Sequence, residues 1–454
     1  MTKQNNNLAA LIMVGILYFI FGFVTWLNGT LIPFLKLTCN LDSDAKSFLV
    51  TFAFYMAYFF LAIPSSFILA KTGMKKGMSL GLLVMALGAI IFIPAAHSRS
   101  FALFLIGLFV QGMGLSLMQT AVNPYVSILG PIESAAQRIS IMGIFNKVAG
   151  IGAPIIFGAI LLGNAKEIAT NIELIGDLDL KAQLLNDLAK RIVNPYIVLT
   201  IVLILLAIGI HYSSLPEIKN TDIDENNGNA SVIQQENTSI LDTSSSIKSV
   251  SFSLKNFFND YPHTILGALA IFFYVGAEVM AGDVIGVYGK DLGISIDATK
   301  YFTSITLAAM LVGYLVSLFI IPRIVKQEKW LKISALLGIL FAFCAFFTKG
   351  YFQVNILGFS SNFSIPITFI ALLGFANAVM WPAIFPLGIA GLGKHTSFGS
   401  ALLIMGIAGG AIVPQIYGLL KNIIGFDKAF IATMIPCYLY ILYFATKGYK
   451  LRKE

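Results

Sequence analysis

Twelve runs of roughly twenty mostly apolar residues occupy this chain, and a run of that length is what one helix needs to cross the hydrocarbon of a bilayer. They lie near 8–35, 47–70, 77–96, 101–129, 138–163, 193–214, 264–289, 300–322, 330–347, 364–390, 397–420 and 428–446. Lipid offers the backbone no hydrogen-bond partner, so only helices or a closed barrel can span, and runs this long select helices. The expected fold is an all-α membrane protein with twelve transmembrane helices. Composition agrees, because 57% of the residues are hydrophobic and 11% charged, too little polar surface to cover a soluble globule. Several runs exceed the bilayer, which predicts tilt or kinks.

The polar remainder sets the organisation. Residues 216–260 are rich in Asn, Ser, Asp and Glu, with Asn226-Asn-Gly-Asn229 and Ser244-Ser-Ser246, and read as a solvated linker between halves 1–215 and 261–454. The other long connection, 164–192, carries Ile172, Leu174, Ile175, Leu178, Leu184, Leu185 and Leu188 at spacings that predict a short amphipathic helix outside the core. Met1–Asn7 is short and polar and leads straight into the first run, which reads as a spanning helix and not as a cleaved signal. With both termini in the cytoplasm, seventeen Lys and Arg fall on the inner side and twelve on the outer, four of them in the long 164–192 loop, so the positive-inside rule favours that orientation. The net charge of +8 is therefore topological and does not point to nucleic acid. Cys39, Cys344 and Cys437 lie far apart and read as packing residues; neither a metal cluster nor a cofactor motif is visible.

The two halves repeat each other. Gly150-x3-Pro154-x3-Gly158 recurs as Gly410-x3-Pro414-x3-Gly418, an offset of 260. Gln119-Thr-Ala-Val-Asn123-Pro124 matches Asn377-Ala-Val-Met-Trp381-Pro382 at 258, and Phe19, Gly22 and Lys36 match Phe273, Gly276 and Lys290 at 254. Three matches in order, with slowly growing offsets, argue for a duplicated six-helix unit. Parallel six-helix repeats are the layout of major facilitator transporters, which bind substrate between the halves near the midplane.

Leu27-Asn-Gly-Thr-Leu-Ile-Pro33, Gln119-Thr-Ala-Val-Asn-Pro-Tyr-Val126, Phe272-Phe-Tyr-Val-Gly-Ala-Glu278, Pro382-Ala-Ile-Phe385 and the tail from Cys437 to Lys450 resemble the fucose:proton symporter family of the major facilitator superfamily, with the bacterial glucose/galactose transporters most similar. The resemblance implies an inner-membrane sugar permease working by alternating access, usually with a symported cation. Two positions depart from it. Family members commonly have Leu-Asn-Asp in the first span, and the fucose transporters a Glu before Thr-Ala in the fourth; here these are Gly29 and Gln119.

Three charged residues inside apolar runs are the candidates for coupling: Glu278, Asp283 and Lys147. An ionised group in hydrocarbon costs several kcal/mol unless paired or hydrated, by the usual ~3 kcal/mol insertion scale or more. Glu278 matches the family pattern. Asp283 is the twin, at offset 254, of Gly29, which suggests a relocated coupling acid. The two acids are five residues apart, about 140° around a straight helix, so both face one cavity only if Gly276 or Gly282 breaks the helix. Otherwise Asp283 is hydrated at the mouth or bonded to another helix. Lys147 has Glu278 as its natural partner at similar depth; unpaired, it would snorkel to the cytoplasmic side.

Sugar recognition calls for amide hydrogen bonds and an aromatic face. Gln119 and Asn123 share a helical face, Asn377 and Trp381 repeat it in the other half, and Asn28, Asn146 and Gln415 are further donors. Each could instead be a helix-to-helix hydrogen bond. The expectation is a monomeric, non-enzymatic transporter of a neutral hexose, proton-coupled in preference to sodium-coupled or uncoupled. A multidrug exporter and a membrane sensor are the alternatives. The paired amides weigh against the first, and the short linker and tail against the second.

Overall fold

The computed structural model of the protein describes residues 2–128, 135–164, 167–168, 170, 177–213, 215, 254–321, 323–356, 359–392 and 395–451. Among the described residues twelve helical spans are long and apolar enough to cross a membrane. The first span is split into α1 (Thr2–Trp26) and α2 (Asn28–Thr38), followed by a single turn, α3 (Asp44–Ser47). Spans two to six are α4 (Leu49–Thr72), α5 (Met74–Ser98), α6 (Phe101–Ile128), α7 (Ala135–Leu161) and, after the outlying α8 (Leu178–Lys190), α9 (Val193–Tyr212). The second half opens with α10 (Leu254–Asp260) and the seventh span, again split, into α11 (Pro262–Gly282) and α12 (Ile285–Asp291). The turn α13 (Ile296–Thr299) leads to α14 (Phe302–Ile320) and α15 (Gln327–Phe347). Span ten is α16 (Ile365–Asn377) and α17 (Met380–Ile389); span eleven is α18 (Thr396–Met405) and α19 (Gly409–Ile424), joined by a 3-10 turn; α20 (Phe426–Thr446) is the last.

The amphipathic helix expected in 164–192 is α8, capped by Asp177, whose carboxylate accepts the N–H groups of Asp179 and Leu180; Ile172, Leu174 and Ile175 fall outside the described residues. The linker's Asn- and Ser-rich stretches also lie outside them, and its last seven residues form α10. One element departs from an all-helical reading. Strands β1 (Tyr351–Ile356) and β2 (Phe359–Ser364) pair antiparallel, Tyr351 opposite Ser364, between spans nine and ten. Alternation in Tyr-Phe-Gln-Val-Asn-Ile is a strand pattern too short to span, so it forms a hairpin at the membrane edge.

Lipid-facing positions are apolar and exposed, as at Phe60, Phe67, Leu205 and Ile423. Inside each half the first span lies against the fifth. A Cβ on Gly22 of α1 would stand 2.0 Å from the Asn146 carbonyl oxygen of α7, so only glycine permits that approach. The twin contact, α11 on α19, is as close: a Cβ on Gly409 would stand 1.7 Å from the Phe272 oxygen. The halves meet along two seams, α4 against α18 and α19, and α7 against α14.

At the end of the bundle opposite the termini, charge joins the halves. Lys36 of α2 and Lys421 of α19 both bind Asp44 of α3, and Lys421 also reaches Asp291 at the end of α12, 2.6 Å away. Gly418 against Phe48 and Ala45 closes the gap beside them. Burial raises the Asp291 carboxyl above the usual carboxylate range, against the pull of Lys421. It therefore gains its proton early as pH falls, and the Lys421 contact weakens below that raised value. Lys421→Ala should release this end, shifting the conformational balance toward the form open there by about tenfold, the equivalent of ~1.4 kcal/mol for a partly buried ion network. Faster labelling of a cysteine introduced near Ala45 by a membrane-impermeant maleimide, with the wild type speeding up on acidification and the variant less so, is the expected result.

Candidate functional site

A cavity lies between the halves on the termini side of the helix breaks. The space among its lining residues, part of it continuous with solvent, amounts to about 680 Å³. Five helices that carry polar groups at mid-depth build its walls. Tyr18, Thr25 and Trp26 come from α1, Tyr55 and Tyr58 from α4, Gln119 and Asn123 from α6, Asn146 and Lys147 from α7, and Tyr274 and Glu278 from α11. Tyr314, Trp381 and Ile407 complete it from α14, α17 and the 3-10 turn.

Its electrostatic centre is an ion pair across the halves. Lys147 Nζ lies 2.9 Å from Glu278 Oε1, with side chains 6% and 12% exposed. The ammonium also stands 4.4 Å from the Trp26 ring centroid, a cation–π contact. Trp26 Nε1 donates to Asn146 Oδ1 at 3.4 Å, so α7 orients the indole under the lysine. The repeat makes the asymmetry visible: at offset 260 the twin of Lys147 is Ile407, which lines the same cavity without a charge. Among the described residues Glu278 thus has one cation partner, and it belongs to the opposite half.

The amides are oriented by tyrosines. Gln119 Nε2 donates to the Tyr58 hydroxyl at 2.9 Å, and Tyr18 donates to Asn123 Oδ1. Trp381 of α17 stacks on Phe385, 5.6 Å between centroids, and shows part of its surface to the cavity.

Six of the sequence-derived candidates meet here: Gln119, Asn123, Asn146, Lys147, Glu278 and Trp381. Four lie elsewhere. Asn377, fully buried, accepts from Tyr438 at 3.0 Å and faces α20, although its twin Gln119 faces the cavity. The two differ because Gln119's tyrosine comes from span two and Asn377's from span twelve, which are not related by the repeat. Gln415 is half-buried in α19 outside the lining. Asn28 and Asp283 are not among the lining residues; Asp283 Oδ2 accepts from the hydroxyl of Tyr55 in the cavity wall at 3.4 Å, and Gly282 beside it packs on Trp26, where a Cβ would stand 2.5 Å from the ring. Helix α11 runs unbroken through Gly276 and ends at Gly282, so Glu278 faces the cavity and Asp283 starts the break.

Sequence reasoning weighed amides and acids and passed over Tyr18, Trp26, Tyr55, Tyr58, Tyr274 and Tyr314. The signal was present: a mid-span tyrosine carries a hydroxyl that hydrocarbon cannot satisfy, and Tyr55 and Tyr58 share a helical face.

Comparison with known proteins agrees with this architecture. The chain matches the Major Facilitator Superfamily over residues 14–414. It is 32% identical to a glucose/galactose transporter of Brucella abortus, over 99% of this chain and 96% of that one. A putative glucose/galactose transporter of Helicobacter pylori is 30% identical over 99% and 98%, and the L-fucose-proton symporter of Escherichia coli 27% over 94% and 90%. Among solved structures, the transporter FucP in its outward conformation superposes with a TM-score of 0.73 at 24% identity, covering 99% of this chain and all of that one, a likeness of fold.

Removing one member of a buried ion pair strands the other, at a cost of ~3–5 kcal/mol where the survivor stays charged. Lys147→Met should therefore lower the melting temperature in detergent clearly, and Lys147→Met with Glu278→Gln should recover most of the loss. Equal losses in the single and double variants would show that the two residues are not coupled.

Proposed function

Because the chain belongs to the major facilitator superfamily, in its fucose:proton symporter family with the bacterial glucose/galactose transporters, we propose that it carries a neutral hexose of the glucose or galactose kind by alternating access, in symport with a proton. The observation that carries this reading is the cavity between the halves, where Gln119, Asn123 and Asn146 gather with tyrosine hydroxyls and the Trp381 ring around one charge-neutral ion pair. A neutral polyol needs hydrogen-bonding amides and hydroxyls, because its own hydroxyls are costly to desolvate unpartnered. The indole offers a flat face to the C–H side of a pyranose. A net charge at the centre would instead favour an ionic cargo.

Coupling follows from where the pair stands. Lys147 belongs to α7 and Glu278 to α11, one in each half, so their attraction favours the arrangement in which this part of the interface is shut. A proton taken up by Glu278 cancels the attraction and leaves Lys147 on the Trp26 face. Sugar and proton together then make up for the lost contact, and the halves can rock. In this reading the protein is a monomer in a bacterial inner membrane with both termini and the 216–260 linker in the cytoplasm. The far-end ion network would then close the periplasmic side and the cavity would face the cytoplasm.

Counterflow of radiolabelled glucose or galactose into proteoliposomes preloaded with the same sugar tests the substrate; no counterflow with any neutral hexose would refute it. Asn123→Ala should raise the half-saturating sugar concentration by about tenfold, the loss of ~1.4 kcal/mol of hydrogen bonding. Glu278→Gln should keep counterflow and lose accumulation driven by an imposed proton gradient. Accumulation driven by sodium alone would move the coupling to that ion.

A further inference from the structure

The sixth span is packed differently from its twin, the twelfth. Helix α20 lies on α15 and also on α11 and α19, and Tyr440 fills the gap to α11, its ring centroid 4.7 Å from that of Phe273. In the first half α9 lies on α5, the twin of α15, and stands off α1 and α7, so a furrow opens between the three helices. Phe19, the twin of Phe273 at offset 254, lines that furrow and is 39% exposed. Buried Ile20, Phe157 and Leu199 form the floor, with Tyr196 edge-on to Phe157 at 6.1 Å between centroids. Exposed Ile160 and Val198 form the rims. The space among these residues, part of it continuous with the surroundings, amounts to about 1260 Å³.

Length and charge limit what can fill it. From Arg191 to Val202 the furrow follows α9 and the turn before it for ~16 Å at the helical rise. That is half of the ~30 Å hydrocarbon core, the depth of one leaflet. A helix of a second copy would need a face running through both leaflets, whereas an acyl chain needs only one. The lining is apolar along its length and carries its one charged residue at the head. Arg191 joins the outlying α8 to α9, which puts it at the membrane surface on the end opposite the termini. Its Nη1 donates to the Gly163 carbonyl oxygen, just past the end of α7, at 2.6 Å, so the guanidinium bridges two walls of the furrow. That bond takes one of five N–H donors, and among the described residues no carboxylate forms an ion pair with Arg191. A planar fork with donors to spare and no counter-charge matches a phosphate. Asn194, exposed and three residues further on, adds an amide beside the same head.

We propose that the furrow between α1, α7 and α9 binds an anionic phospholipid of the leaflet at the end opposite the termini, with one acyl chain against Ile20, Phe157 and Leu199 and the phosphate on Arg191. A head of net negative charge is favoured over a zwitterionic one, because an amine or choline on the head would bring a second cation beside Arg191. The lipid stands where the second half puts Tyr440, and it completes the packing of a helix that the protein itself holds mainly through α5. The assignment goes beyond the hexose reading and does not rest on it, since none of the furrow residues lines the cavity between the halves.

The test is native mass spectrometry of the purified full chain in detergent, together with its melting temperature, after addition of phosphatidylglycerol or of phosphatidylcholine with the same acyl chains. The wild type should retain phosphatidylglycerol about fivefold more tightly than phosphatidylcholine and melt higher in it. Arg191→Gln should lose that preference while still holding a lipid chain. Lys428→Gln, which removes an exposed cation at the start of the twin helix α20, should keep it. Val198→Trp, on a rim residue that is 60% exposed, fills the furrow and should reduce retention of both lipids; it also covers the case in which the Arg191 variant fails to fold. Equal retention of the two lipids by the wild type would overturn the proposal. So would an unchanged preference in Arg191→Gln, or full retention by Val198→Trp. Disulfide cross-linking of Val198→Cys between two copies would make a second chain the occupant and would overturn it as well.

Discussion

A lysine and a glutamate, each costly alone in hydrocarbon, hold each other at 2.9 Å across the boundary between two six-helix halves. Much else in the centre of the molecule answers to that pair. Trp26 is turned so that its ring takes one side of the ammonium, and Asn146 holds the indole. The glycine contact of Gly22 on Asn146 brings α1 close enough for this to happen. The pair satisfies charge at the midplane while leaving no net charge in the cavity, which is the condition for handling a neutral cargo there.

The two halves descend from one pattern and have diverged at the centre. Tight glycine contacts of the first span on the fifth persist in both, and so do the breaks in spans one and seven. The polar positions have not stayed equivalent. Gln119 looks into the cavity and its twin Asn377 looks at Tyr438; Lys147 is charged and its twin Ile407 is not. Packing glycines answer to backbone geometry, which the repeat reproduces, while cavity residues face a space that the two halves line unequally.

Most of the fold was legible in the sequence, because a bilayer permits few solutions and the apolar runs state them plainly. The β1–β2 hairpin was hidden, since a short alternating stretch beside long apolar runs is easily absorbed into a loop. In the site, Lys147 with Glu278 was legible from cost: two opposite charges at one depth have few other ways to be tolerated, although they are 131 residues apart. The orientation of Asn377 was not. Periodicity gives the face of a helix but not which neighbour that face meets, and Tyr438 comes from a helix the repeat does not relate to span ten. The break after Gly282 likewise separated Glu278 from Asp283 in a way that spacing left open.

Position 29 and position 283 are twins in the repeat, and they also touch: the direction in which residue 29 would carry a side chain ends 3.2 Å from Asp283 Oδ1 and 2.3 Å from Thr303 Oγ1. A side chain on residue 29 would have to share the space beside Asp283 Oδ1 and Thr303 Oγ1. The acid therefore has two addresses in the sequence and a single address in space. Any side chain at 29 must therefore be accommodated together with the acid at 283 and the hydroxyl at 303.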